Sequence, residues 1–171
     1  NLAQRFNSKY SQTFTVPKPL IPKYGARIMS LQSPDKKMSK SDKNENNIIS
    51  LLDDENVIRR KIMKAITDSD NKIAFVKEKE GISNLISIYS ALTNMNIDTI
   101  VNNYENKSYS VFKSDLSDVV IDMLKPIQDE YKHLINNKDY LNEVLKDGSE
   151  RAFYIARKTM TKVKRKVGFI L

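Results

Sequence analysis

Cysteine is absent from this chain of 171 residues, so neither a disulfide framework nor a thiolate metal site can form. Glycine and proline are scarce, at four and five residues, in a chain that is 40% hydrophobic. So few interruptions predict a helix-rich folded domain rather than a disordered one. No apolar run approaches the ~20 residues that a membrane-spanning helix needs, and the N-terminus has no apolar signal-peptide core. The expected setting is cytoplasmic, or an organellar matrix, with no membrane partner. Histidine occurs once, at His133, and has no second imidazole with which to share a metal. A surface or capping role late in a helix is expected for it. Paired carboxylates set for hydrolysis, a glycine-rich phosphate loop and a nucleophile triad are missing as well.

What the chain does have is positive charge, +8 overall. Seven cations between positions 150 and 171 face Glu150 alone. A basic end of this kind favours a polyanion through counterion release. The plain alternative is a solvated helix face whose cations suit the negative end of the helix dipole. Charge alone does not choose between them.

Periodicity places the elements. Residues 1–10 read as the tail of a helix. Thr13 to Pro17 and Ala26 to Met29 are short β-prone runs bounded by Pro17, Pro19, Pro22 and Gly25, and look like the last strands of a larger α/β sheet. Residues 32–47 are polar and loop-like. Val57, Ile58, Ile62 and Ile66 then share one helical face, with Asp53 or Asp54 as the cap. A second stripe runs from Ile82 through Leu85, Ile86 and Tyr89 to Leu92, and a short helix carries Ile97, Ile100, Val101 and Tyr104. Residues 109–136 form a long amphipathic segment in which Pro126 predicts a kink rather than a break. A final helix covers 139–167, with Ala152, Ala156, Met160, Val163 and Val167 on one stripe. Asp53, Asp54, Asp68 and Asp70 could suggest a magnesium site, but they flank a predicted helix and fit capping better.

Lys37-Met38-Ser39-Lys40-Ser41 carries the strongest chemical signal. Two ammonium groups and two hydroxyls sit on a short segment without helix or strand periodicity. Lysine is a compact, mobile point charge, and positive charge placed where negative charge develops lowers a barrier. Such a loop can wrap a polyphosphate and stabilise a departing pyrophosphate. A solvated lysine-rich turn is the alternative for the pentapeptide taken alone.

Its surroundings decide the matter. Gly25-Ala26-Arg27-Ile28-Met29-Ser30-Leu31, Pro34-Asp35-Lys36, the pentapeptide, Asp42, Asn44, Asn47, Leu51-Leu52-Asp53-Asp54 and Thr67-Asp68-Ser69-Asp70 resemble the tryptophanyl-tRNA synthetases of the bacterial or organellar type. The similarity runs on through Gly81-Ile82-Ser83-Asn84-Leu85, Tyr109, Phe112-Lys113 and Pro126-Ile127-Gln128. The pentapeptide by itself names only class I synthetases, whereas the flanking strings point to the tryptophan branch.

The resemblance implies a mainly α chain. Residues 1–44 would be the C-terminal end of a Rossmann-like α/β catalytic domain bearing the lysine loop. Residues 45–136 would be a helical, anticodon-binding bundle, and 137–171 a C-terminal helix returning toward the catalytic part. It implies Lys37 and Lys40 as catalytic residues at the pyrophosphate, with Ser39 and Ser41 as their hydrogen-bonding companions. Met38 would lie along the adenine of ATP, with the Ile28 backbone also at the base. ATP, with Mg2+ carried on it, L-tryptophan and the tRNA for tryptophan are the implied ligands, and a homodimer the implied assembly. The chain starts at Asn1 in helix-like sequence and is expected to be the C-terminal part of a longer protein, inactive alone. Two alternatives stay open at this point: a tyrosyl-tRNA synthetase, and a helical RNA-binding module without catalysis.

Overall fold

A computed structural model describes residues 1–22 and 25–170. The chain is mainly α: α1 (Leu2–Tyr10), α2 (Glu55–Met63), α3 (Glu80–Thr93), α4 (Ile97–Asn103), α5 (Tyr109–Asn136) and α6 (Lys138–Lys166), with one 3-10 turn at Glu45–Asn47. Among the described residues no helix is long and apolar enough to cross a membrane. The contacts gather into two compact units, Ile21–Tyr131 and Asn1–Leu20 with Lys132–Leu171.

The core of Ile21–Tyr131 comes from the stripes read in the sequence. Ile58 and Ile62 of α2, Ile82, Leu85 and Ile86 of α3, Ile100 of α4, and Phe112 and Leu116 of α5 are each no more than 1% exposed. Three rings lock α3, α4 and the start of α5 together. Phe112 meets Tyr104 edge-on at 4.9 Å and stacks on Tyr89 at 5.8 Å between centroids. Asp54 caps α2, its carboxylate accepting from Val57 N–H at 3.0 Å. Asn94 ends α3 in the left-handed conformation, which asparagine tolerates better than most residues.

Two lysines lie inside this unit. Lys61 is 5% exposed and pairs with Asp53 at 2.6 Å. Lys113 is 7% exposed and donates to the Ala65 carbonyl at 2.7 Å and to Thr67 Oγ1 at 3.2 Å. Desolvation lowers the Lys113 pKa, because burial penalises the charged form. Asp68 and Asp70 depart from the expected capping role. They gather instead around the Tyr109 hydroxyl, which lies 2.8 and 2.9 Å from the two Asp68 oxygens and 3.2 Å from Asp70. Lys79 closes the cluster, bonded to Asp70 and to Asp68. Burial, and next the Asp68 carboxylate, push the Tyr109 hydroxyl up to about 12 against the pull of Lys79.

Gly81 lies in the first turn of α3, against the segment that follows α2. A Cβ there would stand 2.1 Å from the Ile66 carbonyl oxygen. Gly81→Ala should therefore destabilise the fold by about 1–3 kcal/mol, the usual cost of an atom with no room. A fall in the urea midpoint would register it, and a wild-type midpoint would show that the two segments separate at no cost.

Four sequence expectations change. The run Thr13–Val16 is not a strand; the Asn7 side chain holds it, accepting from the Thr13 and Phe14 N–H groups at 2.9 Å each and donating to the Phe14 carbonyl at 2.8 Å. Of the run 26–29, only Met29 makes a β contact, an isolated antiparallel bridge to Lys37. Both runs have β-prone residues, but a strand also needs a neighbouring backbone. Ile66 lies beyond the end of α2 and is half exposed, while its N–H donates to the Leu31 carbonyl at 2.8 Å. No residue of α6 is buried, so its apolar stripe serves no core among the described residues.

In the other unit, Phe6 of α1 packs edge-on against Phe14 at 5.1 Å. Lys166 reaches back to the Gln12 carbonyl at 2.9 Å and Thr13 Oγ1 at 2.7 Å. Other cations of α6 are also engaged: Arg151 pairs with Asp147 at 2.9 Å, and Lys158 stands 4.3 Å from the Tyr154 ring centre. His133 is exposed in the last turn of α5. α5 runs through Pro126 as one helix.

Candidate functional site

The lysine loop begins on a short antiparallel platform. Ser30 N–H donates to the Lys36 carbonyl at 2.8 Å and Met38 N–H to the Ile28 carbonyl at 3.0 Å, on either side of the Met29–Lys37 bridge. Pro34 and Asp35 form the connecting turn, closed by Lys36 N–H on the Ser33 carbonyl at 2.8 Å. Alternation along the second arm then separates the side chains. Met38 is partly buried and packs on the core, whereas Lys37 is exposed.

The tip follows. Asp42 N–H donates to the Ser39 carbonyl at 3.2 Å, making a turn that carries Lys40. Across it Ser39 Oγ and Ser41 Oγ lie 3.0 Å apart. Asp42 fixes the far end: its carboxylate accepts from Asn44 N–H at 2.9 Å and from Asn47 Nδ2 at 2.8 Å. The Asn44 N–H, with the Asn47 side chain behind it, holds the Asp42 carboxyl below its usual range. Asn44 also caps the 3-10 turn, accepting from Asn46 N–H at 3.0 Å. Asn47 is buried, and its carbonyl accepts from Leu31 N–H at 3.1 Å, which returns the loop to the core.

Of the six residues singled out from the sequence, Ile28, Lys37, Met38 and Lys40 line one groove, whereas Ser39 and Ser41 bond each other at the tip and do not line it. Ile28 and Met38 are backbone partners. Lys37 and Lys40 line the same groove of about 770 Å3, together with Ile28 and Met38. The rest of its lining is mostly apolar and includes Ile48, Ile49, Leu51, Leu52 and Ile127. Gln128 of α5 secures part of that lining, its amide donating to the Leu51 and Asp53 carbonyls at 2.9 Å each. A groove that combines apolar lining with two ammonium groups can take a flat heteroaromatic group joined to a polyanion. Among the described residues no three His, Asp or Glu side chains converge as a cation site would require.

Sequence reading assigned no role to Asn84. This buried residue of α3 accepts from Met29 N–H at 2.9 Å and donates to the Met29 carbonyl at 2.8 Å. The available signal was a carboxamide on the buried side of an otherwise apolar helix, since a buried amide must find partners for both of its polar ends. Asp42 and Asn47 went unassigned in the same way, because nothing periodic marks a loop's anchor points.

Residues 1–125 match the family of class I tRNA synthetases (W and Y). A tryptophan–tRNA ligase from Clostridium acetobutylicum is 47% identical over 171 residues, covering 100% of this chain and 51% of the relative. Another from Caldanaerobacter subterraneus is 49% identical over 172 residues, with 100% and 52% covered. The crystal structure of the tryptophanyl-tRNA synthetase of Mycoplasma pneumoniae superposes with a TM-score of 0.84 at 32% identity, covering 99% of this chain and 53% of that one. The chain spans about half the length of the curated relatives it matches. With its lysine pentapeptide set on the rim of a groove and the match running from α1 into α5, the chain belongs to the class I tRNA synthetases of the tryptophan and tyrosine group.

Proposed function

We propose that this chain is part of an enzyme that attaches tryptophan to its tRNA. The observation that carries the reading is identity of 47 and 49% to two tryptophan–tRNA ligases over the whole chain. In the first step a carboxylate oxygen of tryptophan attacks the α-phosphorus of ATP. The bond to the β-phosphate oxygen breaks, giving tryptophanyl-adenylate and pyrophosphate. In the second, a hydroxyl at the tRNA 3′ end takes the aminoacyl group and AMP leaves.

The chain's own contribution lies at the leaving group. Negative charge grows on the pyrophosphate as the bond breaks, so the Lys37 and Lys40 ammonium groups stabilise the transition state more than bound ATP. Ser39 and Ser41 supply hydroxyls for the phosphate oxygens. Ile28 and Met38 flank the adenine, a role supported by their adjacency at the groove. The donor set of the loop, ammonium and hydroxyl, fits phosphate oxygens rather than a cation, so magnesium comes in on the nucleotide. Residues 1–44 serve the catalytic part, 45–136 the anticodon end of the tRNA, and the basic helix that follows adds an electrostatic surface for RNA. A homodimer in the cytoplasm completes the reading.

The matched family also covers the tyrosine branch, and the test separates the two. ATP–pyrophosphate exchange by the full-length polypeptide is expected with tryptophan and not with tyrosine. Exchange with tyrosine alone would overturn the branch. Exchange with neither would overturn catalysis and leave RNA binding as the function.

A further inference from the structure

We propose that Asn84 is a positioning residue for the lysine loop, its carboxamide standing where a neighbouring β-strand would be and fixing the edge of Ile28–Ser30 that receives the arm carrying Lys37 and Met38. The inference rests on the activity proposed above.

The argument starts from the two edges of the Ile28–Ser30 segment. In an extended chain the N–H and C=O of one residue point to one edge and those of the next residue to the other. Ile28 and Ser30 use the first edge, bonding to Met38 and Lys36 at 3.0 and 2.8 Å. Met29 faces the second edge, toward α3. Its two groups meet one side chain, Asn84, at 2.9 and 2.8 Å. Asn84 is 6% exposed, and its amide is the protein partner of both Met29 groups on that edge.

This pairing fixes which edge of the segment meets the loop. With the Met29 groups turned to Asn84, the Ile28 carbonyl and the Ser30 N–H face the arm that carries Lys37 and Met38. A segment turned over would point the Met29 groups at the loop, lose both Asn84 bonds and withdraw the acceptor and the donor that hold that arm. With only one bridge and two backbone bonds between the arms, the platform is too short to hold that orientation by itself. Asn84 supplies two further bonds to it. It also comes from α3, whose Leu85 and Ile86 are buried in the core, so the loop's base is tied to the core. Asn84 touches neither groove nor phosphate, and it acts through the backbone that carries Lys37.

The test is ATP–pyrophosphate exchange by the full-length polypeptide, with Asn84→Ala and Asn84→Asp each made alone and in a Lys37→Ala background. The aspartate variant keeps an acceptor for Met29 N–H but sets a carboxylate oxygen against the Met29 carbonyl. Expected is a loss of about ten- to a hundredfold in kcat/KM for ATP, the scale of an ångström-sized misplacement, with KM for tryptophan unchanged. In the Lys37→Ala background the same change should cost at most a few-fold, because the group it positions is already gone. Equal losses in both backgrounds would overturn the proposal. So would a lowered melting temperature with wild-type exchange, or failure of both variants to fold, since either assigns Asn84 to stability alone. Failure of the wild type to exchange with either amino acid would instead strike the proposed activity, and this inference with it.

Discussion

Replacing Lys40 by alanine in the full-length polypeptide should slow adenylate formation by about 100- to 1,000-fold, the scale seen when a preorganised charge-stabilising donor is removed. Tryptophan binding should stay near wild-type strength. The two arms of the pentapeptide differ in how they are held. Lys37 sits in the bridge with Met29, on a platform pinned from α3. Lys40 is exposed on a turn held by bonds within the loop itself, Asp42 N–H to the Ser39 carbonyl at 3.2 Å and Ser39 Oγ to Ser41 Oγ at 3.0 Å. Such a turn can advance on the phosphates as charge develops and withdraw to release pyrophosphate. On the proposed activity, Lys40 would be the group whose interaction grows most between bound ATP and the transition state, so its loss should fall on kcat. Arginine should not restore the rate, because a planar fork on a different stem does not replace a compact point charge. Pre-steady-state adenylate formation is the direct measurement. A wild-type rate in Lys40→Ala would remove the lysine from the chemistry.

Much of the helical part could be read from the chain before its structure. The spacing of Ile82, Leu85 and Ile86 marks α3, and the stripe through Phe112, Leu116, Val120 and Leu124 marks the buried side of α5. These succeed because a helix satisfies its own backbone, leaving side-chain period as the visible trace of burial. The β-prone runs misled for the opposite reason. Thr13–Val16 and Ala26–Met29 have the right residues, but a strand is completed only by another backbone, which local sequence does not contain. One run found a side chain, Asn7, and the other found Lys37 and Asn84. Apolar residues alone do not mark the buried side of α5, since Val111, Met123 and Ile127 are each more than 40% exposed. At the groove, Lys37 and Lys40 stood out in the sequence because two ammonium groups so close together on a polar loop are rare. Its anchors did not, because they are side-chain hydrogen bonds across the chain: Asp42 to Asn47 over 5 residues, Asn84 to Met29 over 55 and Gln128 to Leu51 over 77.

Phe112→Ala should cost about 3–5 kcal/mol, the range for deleting a fully buried aromatic ring. Phe112 is 0% exposed and is the largest of the fully buried side chains. Its ring is the common neighbour of Tyr89 on α3 and Tyr104 at the end of α4. The cavity cannot close easily, because Tyr104 is held from its far end by a 2.8 Å bond from its hydroxyl to Asp115. Desolvation raises the pKa of that hydroxyl, with Tyr89 and Asp115 adding to it, so it remains a donor and the bond persists at any ordinary pH. Phe112→Leu fills more of the space and should lose less. For a domain with about 5–15 kcal/mol of total stability, the alanine change removes roughly a fifth of it or more. Urea unfolding should show the midpoint falling sharply with the slope unchanged, as expected when a contact is lost and compactness is not. A shift worth less than about 1 kcal/mol would mean that α3, α4 and α5 repack around the gap. The ring cluster would then not be what fixes α3, and the rigid reference that Asn84 lends to the lysine loop would have to come from the ties on Leu31, whose N–H and carbonyl bond Asn47 and Ile66 at 3.1 and 2.8 Å.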